Sequence, residues 1–338
     1  MIDVSTTPAT NKSGPAAGRR RTYRPNAQYI PVLATLTLLI VMYTLGAVNY
    51  ENFTHPSVIL NLFTDNAFLM VVAVGMTFVI LTGGIDLSVG AVIALTSTVA
   101  ATLLQAGWPA GVVIPTVLLV GGVLGLGMGA VIHFFKVEPF IATLAGMFLA
   151  RGVALLIDQN SIPITNGFWT GLAEARIVFE PGVYISAMAL VALAVVAVAA
   201  VVLAWSRFGR NVYAIGGNAD SALLMGLPVG RTRIGVYTLS GFCAALGGLI
   251  YSITTTSGYA GHGTGTELDA IAAVVIGGVL LTGGSGYVLG TVLGVLVLGM
   301  INTIVNFQSL NSWWARMAIG VLLFAFIVLQ RLVTRRAK

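Results

Sequence analysis

Charged residues make up only 8% of this 338-residue chain, against 57% hydrophobic residues. A soluble domain of this size cannot cover that much apolar surface with so few charges, which excludes a water-soluble fold. A single cysteine, Cys243, rules out an internal disulfide; it falls within an apolar run, where a small packing role is expected. None of the three lysines, Lys12, Lys136 and Lys338, follows a glycine, so there is no Gly-Lys-[Ser/Thr] phosphate loop. His55, His133 and His262 sit at the ends of apolar runs and form no H-E-x-x-H pattern. No nucleophile–base motif stands out either, so no catalytic residue and no metal ligand is assigned.

What is present is a series of ten apolar stretches, at 29–49, 66–83, 87–107, 110–133, 139–157, 183–204, 234–256, 268–282, 286–306 and 313–331. Crossing a hydrocarbon core takes about 20 apolar residues, and inside lipid every backbone amide must find its partner within the segment. The fold class is therefore all-α, a polytopic transmembrane helical bundle. The turns at Thr82-Gly83-Gly84 and Thr282-Gly283-Gly284 are tight, so the second and third spans also read as one interrupted element. The eighth is short, leaving a re-entrant or tilted segment open.

Basic residues fall almost entirely on alternate connections. With the N-terminus inside, one side holds Lys12, Arg19, Arg20, Arg21, Arg24, Lys136, Arg207, Arg210, Arg231, Arg233, Arg331, Arg335, Arg336 and Lys338, and the other only Arg151, Arg176 and Arg316. This bias places both termini in the cytoplasm. The net charge of +6 follows from that orientation and implies no nucleic-acid binding; the basic ends are expected to meet anionic headgroups. Residues 1–28 read as a disordered basic tail, 29–331 as the membrane domain and 332–338 as a second basic tail. The run from Tyr29 to Asn49 is long enough to span and lacks a clear small-residue cleavage site, so a retained anchor is expected in place of a cleaved signal. The longest connections are 158–182, expected outside, and 205–233, expected inside.

The stretch Val79-Ile80-Leu81-Thr82-Gly83-Gly84, then Gly90 and Val92, recurs as Val279-Leu280-Leu281-Thr282-Gly283-Gly284, then Gly290 and Val292. Internal symmetry of this kind surrounds the pathway in transporters, while Thr-Gly-Gly is also simply a good tight turn. Gly121, Gly125 and Gly129, and again Gly290, Gly294 and Gly299, allow close helix packing in lipid.

Within 205–233, Gly216-Gly217 reads as a turn, Asn218 as a helix cap and Asp220 as an acid near the positive helix end. Ala219, Ala222, Leu223 and Met225 form a short helix that Gly226 ends and Pro228 keeps from resuming. So short a helix is marginal alone, and displayed Leu223, Leu224 and Met225 call for a covering protein.

This loop resembles the coupling segment of bacterial ABC-importer permeases of the ribose/xylose/branched-chain amino-acid family, and the likeness extends along nearly the whole chain after Tyr29. It is carried by the run from Val74 to Gly90, by Glu138-Pro139-Phe140-Ile141-Ala142-Thr143-Leu144, and by the stretch from Glu267 to Gly278. Within the family the chain is similar to galactofuranose-importer permeases, through Thr64-Asp65-Asn66-Ala67-Phe68, Ser161-Ile162-Pro163-Ile164 and Ser312-Trp313-Trp314. It departs from the pattern in its longer basic N-terminal tail and in 165–182. The resemblance implies a sugar permease subunit of the bacterial inner membrane, paired with a second permease as a heterodimer or homodimer. Its expected partners are a cytoplasmic ATPase, which holds the ATP and Mg, and a periplasmic sugar-binding protein; this chain itself is expected to bind no cofactor. On that likeness Gly216, Gly217, Asn218, Ala219, Asp220, Ala222, Leu223, Leu224, Met225 and Gly226 form the lever that the ATPase moves.

The acids Asp86, Glu138, Glu267 and Asp269 each sit where a helix begins, so capping accounts for them. For Asp86 a gate is the sharper alternative, since a carboxylate near lipid depth is costly. A neutral sugar needs a polar, uncharged path, which Thr77, Thr143, Asn302 and Asn306 fit; each fits a helix–helix hydrogen bond equally. Asp65 and Asn66 belong either to the outer mouth or to the membrane interface. An ion-driven secondary carrier is the competing class, but it calls for acids at helix centres, where this chain has almost none.

Overall fold

A computed structural model describes residues 29–336, with side chains described as far as Gln330. The tail 1–28 therefore lies outside the described residues. The chain begins with α1 (Ile30–Asn49), opened by Pro31, whose missing N–H costs a first helical turn nothing. His55 caps α2 (Pro56–Asp65) by accepting from the Ser57 amide, and a 55° bend at Asn66 leads into α3 (Ala67–Leu81). Then come α4 (Val89–Gln105), α5 (Ala110–Phe134) and α6 (Pro139–Ile157). Beyond them lie β1 (Ile162–Pro163), α7 (Gly167–Glu174), β2 (Arg176–Glu180), β3 (Val183–Ser186) and α8 (Ala187–Trp205). The rest is α9 (Arg207–Gly217), α10 (Ala219–Leu224), α11 (Val229–Thr255), β4 (Ser257–Gly258), α12 (Thr266–Ile276), α13 (Val288–Phe307) and α14 (Trp313–Arg336).

Among the described residues seven helices, α1, α5, α6, α8, α11, α13 and α14, are long and apolar enough to cross a bilayer, and the bent pair α2–α3 makes an eighth if taken as one span. The protein is a polytopic helical membrane protein. Of the expected spans, 268–282 does not hold as a helix: α12 has 11 residues, about 16 Å of rise, and stops at Ile276. Residues 277–287 continue without helix because Gly277, Gly278, Gly283, Gly284 and Gly286 break it, four of them at positive φ. Backbone freed at this depth needs partners. Thr35 of α1 donates to the Ile276 carbonyl, and Gln330 of α14 donates its amide to the Val275 carbonyl at 2.9 Å.

Three further expectations change. The sixth span starts at Ala187, because 183–186 pairs with β2 as a hairpin. The 158–182 connection is structured: β1 pairs with β4, and Trp169 of α7 is fully buried with its indole N–H on Ser252 Oγ. The tail expected from residue 332 is helical to Arg336 as the end of α14.

Every residue of α3 except Phe68 is buried, while α1 and α14 expose most of their surface. The bundle is thus layered, with α3, α4, α11 and α13 inside. Gly121 and Gly125 of α5 let that helix lie against the backbone of Gly241 and Tyr237 in α11, and Gly75 of α3 receives Cys243. Of the two small-residue stripes read in the sequence, Gly121, Gly125 and Gly129 make this α5–α11 contact, while Gly290 and Gly294 bring α13 against the backbone of Gly277 and Ala273. Arg207, Arg210, Arg231, Arg233 and Lys136 gather with α9 and α10 at one end, the basic end.

Candidate functional site

The two Thr-Gly-Gly turns meet at the basic end. The Gly284 amide donates to the Leu81 carbonyl at 2.9 Å, and Gly83, Gly283 and Gly284 all take positive φ. Their third neighbour is Gly216. A Cβ on Gly216 would overlap the Leu81 carbonyl oxygen and the Gly284 amide, and one on Gly283 would sit 3.0 Å from Gly216 Cα. Gly216-Gly217 is therefore not the turn read from the sequence; it is the last turn of α9, made of glycine so that three backbones can touch.

The signal for α9 lies in its period. Phe208, Val212 and Ile215 stand at i, i+4 and i+7, which marks a helix with one apolar face. Val212 and Ile215 are buried, and Phe208 stacks on Phe78 of α3 with centroids 6.1 Å apart. Tyr213 donates to the Gly286 carbonyl at 2.6 Å, and burial first, then Tyr287, pushes its hydroxyl pKa up to about 12, so it stays a donor. The helix is thereby fixed to α3 on one side and to the 277–287 segment on the other.

α10 follows directly. The Asn218 side chain accepts from the Ser221 amide at 2.7 Å, and Asp220 lies in the first turn. Met225 is the C-cap, outside the helix, and Gly226 closes the turn at φ 76°. Ala222 is buried and anchors the helix, while Leu223, Leu224 and Met225 are 62%, 89% and 68% exposed. Ala219 is half-buried and Asp220 exposed. Beside α10 lies a cavity of about 580 Å³ with Lys136, Glu138, Asp220 and Arg233 on its walls.

Asp86 is fully buried in the link from α3 to α4. Its Oδ1 accepts from the Ser88 amide (2.9 Å) and Ser88 Oγ (2.6 Å), and its Oδ2 from Ser240 Oγ of α11 (2.7 Å). It shapes the entry to α4 as an Asx turn two residues ahead, while Ser88 occupies the cap position. Asp86→Ala should leave two hydroxyls and an amide without acceptors, at about 1–3 kcal/mol each. Asp86→Asn keeps an acceptor for Ser88 and offers its amide to Ser240. Thermal unfolding in detergent should therefore show a large loss for D86A and a small one for D86N. Glu138 is the N-cap of α6 but its side chain makes no capping bond, and Glu267 and Asp269 lie within the first turn of α12, where the helix dipole favours them.

The expected pathway residues fall into separate groups. Thr77 is closed in completely, with its hydroxyl 2.7 Å from Thr291 of α13 and 2.7 Å from the Ala73 carbonyl. Thr143 is also buried, bonding the Pro139 carbonyl at 2.9 Å and standing 3.4 Å from the Ile85 carbonyl. Asn66, at the α2–α3 bend, donates to the Leu62 carbonyl and packs on Gly299 of α13. Asn302 and Asn306 follow Gly299 on the same side of α13 and are exposed, as is Asp65. The asparagines and the α2–α3 bend thus share one helix pair; Thr143 stands apart.

At the opposite end Arg151 donates to the Ala260 and His262 carbonyls, holding the 259–265 loop onto α6. His262 stands 3.3 Å from Ser97 Oγ, and burial first, then the Arg151 charge, holds its pKa below the usual imidazole value. Among the described residues no group of three or more His, Cys, Asp or Glu is placed to hold a metal.

Residues 58–327 match the family described as branched-chain amino acid transport system / permease component. The chain is 48% identical to the inner membrane ABC transporter permease protein YjfF of Escherichia coli K12, over 90% of this chain and 93% of that one. It is 41% identical to the fructose import permease protein FruG of Bifidobacterium longum, over 98% of each. With the ribose import permease protein RbsC of Haemophilus influenzae it shares 37% identity, over 87% of this chain and 90% of the other. No solved structure matches the chain.

Proposed function

Because this chain belongs to the branched-chain amino acid transport system / permease component family, we propose that it is the translocation subunit of an ATP-binding-cassette sugar importer with galactofuranose as its cargo. The observation that carries the coupled mechanism is α10. A capped helix of six residues presents Leu223, Leu224 and Met225 to solvent, next to a glycine junction that joins α9 to both Thr-Gly-Gly turns. Exposed apolar side chains on so small a platform fit a protein partner better than water. In this reading the basic end faces the cytoplasm, the partner is an ATPase chain, and its movement passes through α9 into α3 and the 277–287 segment. The subunit resides in the bacterial inner membrane and receives sugar from a periplasmic binding protein.

Asn302, Asn306 and Asp65 supply the second element. Exposed amides and a carboxylate on membrane helices are costly against lipid, so they belong against water or a second permease. A path shared between two such subunits offers a neutral sugar hydrogen bonds without fixed cations. The likeness to a fructose and a ribose permease supports a sugar as cargo, and the Thr64–Phe68, Ser161–Ile164 and Ser312–Trp314 stretches support galactofuranose.

Vesicles reconstituted with the cognate ATPase, sister permease and binding protein should take up labelled galactofuranose only when ATP is supplied. Preferential uptake of ribose or fructose would remove the sugar assignment. Uptake by this chain alone on an ion gradient would remove the importer reading altogether.

A further inference from the structure

A second cavity, of about 710 Å³, lies around the corner of the basic end from α10, between the first turn of α1, the last turns of α8, α9 and the start of α13. Its position is set by those helix termini: three membrane helices begin or end there, so it opens at the level where hydrocarbon meets headgroups. Its lower wall is apolar, with Val32, Leu203 and Leu289; Leu289 and the neighbouring Trp205 are 64% and 76% exposed. Its upper rim carries Tyr29 and Tyr287, stacked with centroids 5.4 Å apart, and Arg210. Tyrosine rings at this level are suited to an interface that is apolar below and wet above.

The charges point one way. Among the described residues, Arg210 is the only charged one on the walls and none there is acidic. Its guanidinium donates to the Trp205 carbonyl at 3.1 Å, which orients it without neutralising it. Arg207 and Arg210 both occupy the first turn of α9, where no acid is present. Two cations at the positive end of a helix dipole are mutually unfavourable, and an anion placed there relieves both effects.

We propose that this groove binds one anionic phospholipid, with its phosphate at Arg210 and an acyl chain along Val32, Leu203 and Leu289. A free inorganic anion would gain nothing from the apolar wall, and a zwitterionic lipid would bring no net charge to Arg210. The basic N-terminal stretch Arg19-Arg20-Arg21 would be repelled by Arg210 and is a poor occupant on the same grounds. A bound lipid would lean on the 284–287 turn, which carries both the Tyr213 bond and the contact with Gly216. The lipid would thereby brace the junction through which α9 acts. This inference rests on the membrane location alone and not on the transported sugar.

Native mass spectrometry of the purified full-length protein with equal amounts of phosphatidylglycerol and phosphatidylcholine tests it. The wild type should retain phosphatidylglycerol at least about tenfold better. Arg210→Gln should abolish that preference, Arg210→Lys should restore most of it, and Ala204→Trp, which fills the groove from an exposed position, should weaken retention of the lipid. Arg231→Gln, an exposed arginine elsewhere on the basic end, should leave it unchanged. Equal retention of the two lipids by the wild type, or an R210Q protein that keeps its preference, would overturn the site. So would an equal loss in R231Q, which would reduce the effect to diffuse surface attraction. Competition by soluble glycerol phosphate at the same concentration as the lipid would overturn the lipid in favour of a small anion.

Discussion

Leu224→Glu should abolish ATP-dependent uptake while leaving the protein folded and inserted at its normal level. At 89% exposure, Leu224 contributes little to this chain's own packing, and substitutions at such positions shift stability by about 0.5 kcal/mol or less. The cost arises only when a partner covers α10 and must desolvate a carboxylate with no counter-charge. That penalty is about 3 kcal/mol or more, equivalent to on the order of a hundredfold weaker engagement of the ATPase. Leu223→Glu should behave in the same direction but more mildly, since Leu223 is 62% exposed and borders a cavity that holds Lys136 and Arg233. Uptake in sealed vesicles, paired with membrane abundance and thermal unfolding, separates the two effects. Normal uptake in L224E would leave α10 without a role in coupling.

Gly216→Val and Gly217→Ala, one residue apart, should give opposite results. A side chain at 216 meets backbone on both sides, the Leu81 carbonyl and the Gly284 amide, and backbone cannot step aside as a flexible side chain would. Overpacking costs about 1–3 kcal/mol, and here the hydrogen bond from Gly284 to Leu81 is lost as well, so about 3 kcal/mol is expected. A Cβ at 217 meets nothing within 4 Å. Replacing that helical glycine by alanine should be neutral or stabilising by up to about 1 kcal/mol. Detergent unfolding curves for the two variants provide the measurement. If G216V unfolds like the wild type, the three-way backbone contact does not hold α9 in place; if it unfolds early but transports normally, α9 is not the route of force.

How much of this was legible depended on whether the signal was local. Apolar runs of full length and the basic bias identified a membrane bundle, because lipid imposes its requirement on each segment separately. Asn218, Gly226 and Pro228 gave the short helix α10 for the same reason: capping is settled within a few residues. Gly216 could not be read correctly, because its meaning lies in two turns more than 60 residues away on either side. Trp169 and β2 were hidden within a stretch that looked like a connection, and β3 within one that looked like the start of the sixth span. The α12 span failed for a different cause. Its sequence is apolar well past Ile276, but the glycines that follow end the helix, and the Gly278 amide with the distant Thr35 and Gln330 side chains takes up the freed carbonyls. Thr77 looked like a pathway residue because hydroxyls on membrane helices are ambiguous until the neighbour is known, and its neighbour is Thr291.

The bonds from Thr35 and Gln330 also impose an order on biogenesis. Segment 275–279 leaves the ribosome about 50 residues before Gln330 does, so the Val275 carbonyl enters the bilayer with the Gly278 amide as its local donor and its second donor, Gln330, still unsynthesised. Until α14 inserts, the break after α12 is held by the Gly278 amide on the Val275 carbonyl and by Thr35 on the Ile276 carbonyl, without the bond that ties it to the last helix. The seam after α12 is thus held first from within and from α1, and the last helix to emerge adds the final clasp.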